Sequence, residues 1–279
     1  MQRSFLKICF ILAPVLSVVF TACENETNNK TSTPNPAATT VELVPMLDYT
    51  VVAKYPHDIA CFTEGFLFHE GKLFESTGAP ENLPQTKSSI GICNLESGKF
   101  EQKIEIDKRQ YFGEGITFFG NNLYQLTYTN QVGFVYDAKT FARKSQFSYQ
   151  NKQGWGLTTD GTHLIMSDGT NELSYLNPSD LAVVKKLNVS ENGFALDYIN
   201  ELEFIKGFIY ANVWMTNFIV KIDPNSGKVV GKLDLSDLLN QSKKANINLL
   251  EMNGIAYDVE KDRVLITGKL WPDIYEIKF

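Results

Sequence analysis

A five-fold self-similarity constrains this chain more than any other feature. Five segments share one plan, in which a short motif opens a strand and a second strand and a return strand follow. The motifs are Phe62-Thr63-Glu64-Gly65-Phe66, Phe112-Gly113-Glu114-Gly115-Ile116, Gly154-Trp155-Gly156-Leu157, Ile199-Asn200-Glu201-Leu202 and Met252-Asn253-Gly254-Ile255. With Glu64, Glu114, Trp155, Asn200 and Asn253 taken as equivalent, successive copies lie 50, 41, 45 and 53 residues apart. A unit of that length suits a four-stranded antiparallel blade, and five of them make an all-β, five-bladed β-propeller. Turn residues fall where hairpins need them: Glu70-Gly71, Gly120-Asn121-Asn122, Asp160-Gly161, Lys206-Gly207 and Lys261-Asp262 each part a first strand from a second. The fifth copy reaches Phe279 after only three strands. Residues 49–55 are predicted to supply the fourth, closing the ring and removing its open edges. Helical character is confined to residues 235–245.

The propeller is assigned to residues 46–279, and what precedes it is of a different kind. Arg3 and Lys7 flank an apolar run over residues 8–20 that is too short to span a bilayer as a helix. The run ends in Phe20-Thr21-Ala22-Cys23, which reads as a lipoprotein signal peptide over residues 1–22 with Cys23 as the lipidated first mature residue. Residues 23–45 are rich in Asn, Thr, Pro and Ala and have little to bury, so they read as a flexible tether. The expected location is the bacterial cell envelope, as a periplasmic or outer-membrane lipoprotein, with membrane contact through the lipid anchor only. With Cys23 lipidated, Cys61 and Cys93 are left as either a disulfide or two free buried thiols.

Composition narrows the function classes. A net charge of -6, with no basic stripe, excludes nucleic acid as a partner. His57, His69 and His163 lack ligand spacing, so no histidine metal site is expected. No phosphate loop or nucleophile elbow is present. No cofactor is expected, although a structural cation in the propeller channel stays open.

In a propeller the start of each innermost strand lies near the axis. Glu64, Glu114, Trp155, Asn200 and Asn253 should therefore ring one mouth of the channel, with Gly78, Tyr128, Asp168, Trp214 and Lys269 forming a second ring at the ends of the second strands. Unlike residues at equivalent positions suggest assigned roles rather than repeated packing. Carboxylates, amides, an ammonium and aromatic walls together make a small-ligand site. A channel Glu can also do no more than bond backbone amides stranded at the narrow axis, and that alternative applies to each carboxylate singly.

The same motifs, together with Ala211-Asn212-Val213-Trp214 and Thr267-Gly268-Lys269-Leu270-Trp271-Pro272, resemble those of plant-type glutamine cyclotransferases in order and spacing from Tyr49 to Phe279. The resemblance implies a five-bladed propeller that converts N-terminal glutamine of a peptide to pyroglutamate with loss of ammonia and without catalytic zinc. It implies Glu114 as the acid-base carboxyl. It further implies Phe62, Phe112, Trp155 and Trp214 as aromatic walls, and Asn200 and Lys269 as groups for the substrate and the developing oxyanion. Two positions depart from the family pattern: Glu64 stands where Gln is usual, and Tyr128 where Trp is frequent. Glu64 beside Glu114 could hold a shared proton. An N-terminal glutaminyl peptide or protein is the expected partner, and a monomer the expected state. Two alternatives remain, a non-catalytic propeller binding a peptide or envelope partner at the same mouth, and a metal-dependent lactonase. The latter calls for several carboxylates around an ion, more than Trp155, Asn200 and Asn253 supply.

Overall fold

Four strands recur five times along the chain in the computed structural model, which describes residues 43–279. Blade 1 runs Thr63–His69, Lys72–Thr77, Ser89–Cys93 and Phe100–Glu105. Blade 2 is Gly113–Phe119, Asn122–Thr127, Val132–Asp137 and Arg143–Ser148, and blade 3 is Leu157–Thr159, Leu164–Met166, Glu172–Leu176 and Val183–Asn188. Blade 4 comprises Ile199–Ile205, Phe208–Val213, Phe218–Ile222 and Val229–Asp234. Blade 5 has Met252–Asp258, Arg263–Gly268 and Asp273–Lys278 from the C-terminal end of the chain, and its outer strand is Thr50–Pro56. Every pairing within a blade is antiparallel, and Thr50–Pro56 lies on Asp273–Lys278 in register from Thr50 opposite Lys278 to Pro56 opposite Asp273. The five-bladed propeller and its closing strand are thus as expected, and the helix occupies Ser236–Ala245. The signal segment, Cys23 and most of the tether lie outside the described residues. From Val44 onward the chain is held: Val44 N donates to Asn192 Oδ1, and Lys232 N to the Pro45 carbonyl.

The hairpins follow from turn chemistry. Glu70 and Gly71 both have positive φ, as do Lys206 and Gly207, the signature of a primed turn whose twist matches that of paired strands.

The core is divided into five parts. One apolar cluster lies between each pair of neighbouring blades: Ile116, Leu123 and Phe134 meet Phe74 and Ile90 between blades 1 and 2, and Phe66 and Leu73 meet Ala256, Leu265 and Ile274 between blades 5 and 1. The blade 4 to 5 cluster is the largest because Leu235 and Leu238, beside and within the helix, and Leu249 add to it around Trp271 and Tyr275. At about 25 cal/mol per Å² of buried apolar area, each such interface is a substantial part of the stability. The ring therefore depends on being closed.

One irregularity recurs in every blade and positions the site. Registers slip by one residue between the first two strands of blades 1, 2, 4 and 5, near Glu64, Glu114, Asn200 and Asn253. In blade 3 both Trp155 and Gly156 bond Ser167, which is the same two-against-one arrangement. A β-bulge re-aims a side chain out of the pleat. The five bulged positions are the five that the sequence repeat makes equivalent. The residue after the bulge is Gly in four blades, and close approach explains this at Gly115 and Gly156. A Cβ at Gly115 would lie 2.5 Å from Trp155 O, and one at Gly156 2.2 Å from Asn200 O.

Candidate functional site

The bulges bring their residues to one mouth, and neighbouring blades are stitched together at that level. Ser76 Oγ donates to the Glu114 carbonyl at 2.6 Å, Gly115 N to the Trp155 carbonyl at 2.7 Å, and Ser167 Oγ to the Asn200 carbonyl at 2.7 Å. Gly254 N donates to Asn212 Oδ1 at 3.0 Å, and Asn253 Nδ2 to the Thr63 carbonyl at 3.0 Å. All five blade junctions are thereby pinned next to the residues that face the mouth. Such fixing is what a preorganised site needs.

The mouth is a cavity of about 340 Å³, at the small end of the range for ligand sites. Its lining includes Phe62, Glu64, Phe112, Glu114, Tyr128, Trp155, Asn200, Trp214 and Lys269, so the structure gathers all nine residues expected to bind or act on substrate. Phe62 and Phe112 meet edge to face at 6.0 Å, Phe112 is tilted on Tyr128 at 5.9 Å, and Trp155 meets Trp214 edge to face at 5.7 Å. Trp155 is further oriented by Nε1 donating to Gln153 Oε1 at 2.9 Å.

Three ring residues play other parts. Asn253 does not line the cavity, and its Nδ2 also donates to Glu64 Oε2 at 3.0 Å. Asp168 turns aside and caps its own loop, accepting from Thr170 N at 3.0 Å and Asn151 Nδ2 at 2.9 Å. Gly78 lies under Phe112, where a Cβ would come within 2.2 Å of the ring. The cavity also uses residues outside the repeat pattern. Pro80, Asn82 and Leu83 come from the long connection inside blade 1, and Leu250 and Glu251 from the segment after the helix. Both segments are insertions relative to the other blades, which is the sequence signal that marks them.

Polar chemistry is concentrated in three side chains, all buried. Lys269 Nζ lies 2.8 Å from Glu64 Oε1 and 4.6 Å from the centre of the Phe62 ring. Burial alone would lower the Lys269 pKa, but Glu64 and Glu114 outweigh it and the ammonium is held above its ordinary value. Burial raises Glu64 against the pull of Lys269, to about 7. Glu114 is raised well above the usual carboxylate range, first by burial and then by the charge of Glu64, with Lys269 opposing. Its carboxyl makes no side-chain hydrogen bond to the described residues. Lys269 therefore pairs with Glu64, whose negative form it favours, and the charge of Glu64 in turn favours the protonated form of Glu114. Asn200 is also without a side-chain partner among the described residues, and its Oδ1 is buried.

Sequence reasoning did not single out Glu201 or Glu203. Glu201 occupies the position that is Gly in the other blades and accepts from Phe66 N at 3.2 Å and Ile255 N at 3.0 Å, joining blade 4 to blades 1 and 5 across the axis. The stranded-amide role raised for channel carboxylates belongs to Glu201, not to Glu114. Cys61 and Cys93 are free and buried.

Comparison with known proteins converges on one group. A profile described as glutamine cyclotransferase matches residues 17–279. A protein from Arabidopsis thaliana named glutaminyl-peptide cyclotransferase is 41% identical over 232 residues, covering 82% of this chain and 70% of the relative. The crystal structure of Myxococcus xanthus glutaminyl cyclase superposes with a TM-score of 0.75 at 33% identity, covering 85% of this chain and 98% of that one. With the repeat, the closed ring and the furnished mouth in agreement with these matches, the chain belongs to the glutamine cyclotransferase family.

Proposed function

We propose that this protein cyclises the N-terminal glutamine of a peptide to pyroglutamate and releases ammonia, with Glu114 moving the proton. The observation that carries the reading is the Glu114 carboxyl. It is buried, held well above the usual carboxylate range by burial first, without a side-chain hydrogen bond among the described residues, and it opens into an aromatic cavity beside Lys269 and Asn200.

The reaction needs no nucleophile from the enzyme. The substrate's α-amine attacks the carbon of its own side-chain amide, so holding that chain coiled between Phe62, Phe112, Trp155 and Trp214 supplies much of the rate. The ring bond forms first, giving a tetrahedral intermediate, and the bond to the amide nitrogen breaks as that intermediate collapses. One proton must leave the attacking nitrogen, and one must reach the departing nitrogen for it to leave as ammonia. Glu114 gives its proton to the leaving nitrogen and recovers one from the ring nitrogen, ending as it began. The amide oxygen gathers negative charge midway. Lys269 spends one N–H on Glu64 and keeps others for that oxygen, and the unpartnered Asn200 amide supplies a second polar contact. Glu64 keeps Lys269 charged and its chain in place.

The test is direct: incubation with a peptide bearing N-terminal glutamine should release ammonia and lower the peptide mass by about 17 Da, the loss that this chemistry entails. Binding without release would leave the reading as a peptide-binding propeller. A monomer without a catalytic cofactor fits this scheme, and a cation in the channel would have a structural part only. We further propose that Cys23 is lipidated and tethers the propeller at the cell envelope through residues 23–45. Metabolic labelling with a fatty acid should mark the wild-type chain and fail to mark Cys23→Ala.

A further inference from the structure

Behind the Phe62 wall lies a second group of chemistry-bearing side chains that the cyclisation leaves idle. His57, Cys61 and Glu75 are buried, and their ligand atoms lie within 4.8 Å of one another. Cys93, also buried, places its Sγ 3.0 Å from Glu75 Oε2. They arrive from four stretches of chain. His57 directly follows the closing strand, Cys61 lies in the loop entering blade 1, Glu75 is on the second strand of that blade, and Cys93 ends the third. The other two histidines lie elsewhere, His69 stacked on Phe118 at 3.7 Å and His163 3.3 Å from Asp160. Sequence spacing gives no sign of the cluster at His57, because its neighbours are two thiols and a carboxylate from distant stretches of chain.

Hydrogen-bond accounting shows what lies between them. His57 Nδ1 is 2.8 Å from the Trp271 carbonyl, which can only accept, so Nδ1 carries the hydrogen. Nε2 then faces Glu75 Oε2 at 3.1 Å and Oε1 at 3.3 Å. A neutral ring presents a lone pair there and a carboxylate presents lone pairs in return, so a positive species has to sit between them, a proton or a metal cation. The adjacent thiols are soft ligands suited to zinc or cobalt rather than calcium or magnesium. The atoms that already converge are one imidazole, one sulfur and one carboxylate, and the Cys93 thiol, bonded to Glu75, stands beside them as the fourth ligand that would close the set as in a structural site. The Nδ1 bond to a carbonyl is the outer contact that orients a metal-bound histidine.

We propose that His57 Nε2, Cys61 Sγ, Cys93 Sγ and the Glu75 carboxylate bind a divalent zinc-type cation that locks the closing strand to blade 1. Binding releases both thiol protons and the proton shared by His57 and Glu75. A neutral cluster thereby becomes one of net charge about −1, as in other thiolate-rich zinc sites. The lock also braces the pocket from behind. Cys61 precedes Phe62, its carbonyl accepts from Leu270 N at 2.8 Å directly after Lys269, and Thr63 Oγ1 donates to Glu75 Oε1 at 2.7 Å directly before Glu64.

The experiment uses the full chain, expressed in medium supplemented with zinc or with cobalt(II) so that the metal is present as the cluster becomes buried. The expected result is one metal per chain after gel filtration. The cobalt protein should show thiolate-to-cobalt charge-transfer absorption in the near ultraviolet, which Cys61→Ser and Cys93→Ser each weaken and the double variant loses. Wild-type protein holding no stoichiometric metal, or cobalt without the thiolate band, would overturn the proposal. So would a Cys61–Cys93 disulfide recovered by mass spectrometry. The wild-type spectra decide the matter even if the serine variants fail to fold, and the peptide assay run in parallel reports on cyclisation independently of the metal count.

Discussion

Two buried carboxyls in this propeller have opposite fates. Glu114 at the mouth and Glu201 at the axis are both held well above the ordinary carboxylate range, in each case by burial first. Glu201 has both oxygens occupied by backbone N–H groups of two other blades, whereas the Glu114 carboxyl has no hydrogen-bond partner among the described residues and faces a cavity. The difference teaches that a raised pKa alone does not mark an acid catalyst. A protonated group becomes useful when its hydrogen-bonding capacity has been left for a substrate, and it becomes a structural rivet when the backbone has claimed it.

The largest expected effect comes from Glu114→Gln. It keeps the shape and removes the exchangeable proton, so kcat should fall by about 10²- to 10⁴-fold, the usual share of general acid-base catalysis, with the melting temperature unchanged. Retention of turnover in a folded Glu114→Gln protein would falsify the assignment. Glu201→Ala should do the reverse. Stranding the Phe66 and Ile255 N–H groups costs about 1–3 kcal/mol each, read by denaturant unfolding, while kcat of the remaining folded protein stays close to the wild-type value. A stable but inactive Glu201→Ala protein would erase the contrast between the two sites.

The smallest expected effect is on the pH profile. The substrate amine must be free of its proton, so activity rises with pH through the α-amino range near about 8. Glu114 must hold its proton, so activity declines as pH rises through its raised pKa. The Glu64 charge contributes to that raising, and Glu64→Gln should therefore move the alkaline limb to lower pH. An alkaline limb that stays in place would show that the two carboxyls do not share a field.

Much of this was legible in the chain itself. Five spaced copies fixed the blade count, primed-turn dipeptides fixed the hairpins, and the three-stranded last copy called for the strand now seen at Thr50–Pro56. The equivalence of the five mouth positions was readable as well, because it needs only alignment of like with like; the bulges that turn them outward were not. Asp168 shows the limit. It is equivalent in the repeat to Tyr128, Trp214 and Lys269, yet its carboxylate is short enough to be captured by Thr170 N and Asn151. Residues 80–83 and 250–251 escaped for a different reason, since insertions have no counterpart to align with.

The sequence by itself determined the unit, its number and the side chains offered at each bulge, because strand periodicity and turn chemistry act over a few residues. Only the tertiary structure decided which of those groups are free. Whether Glu114 is partnered, whether Glu201 spans the axis, and whether His57 meets two thiols all depend on contacts between distant stretches of chain. Those contacts come into being when the ring closes.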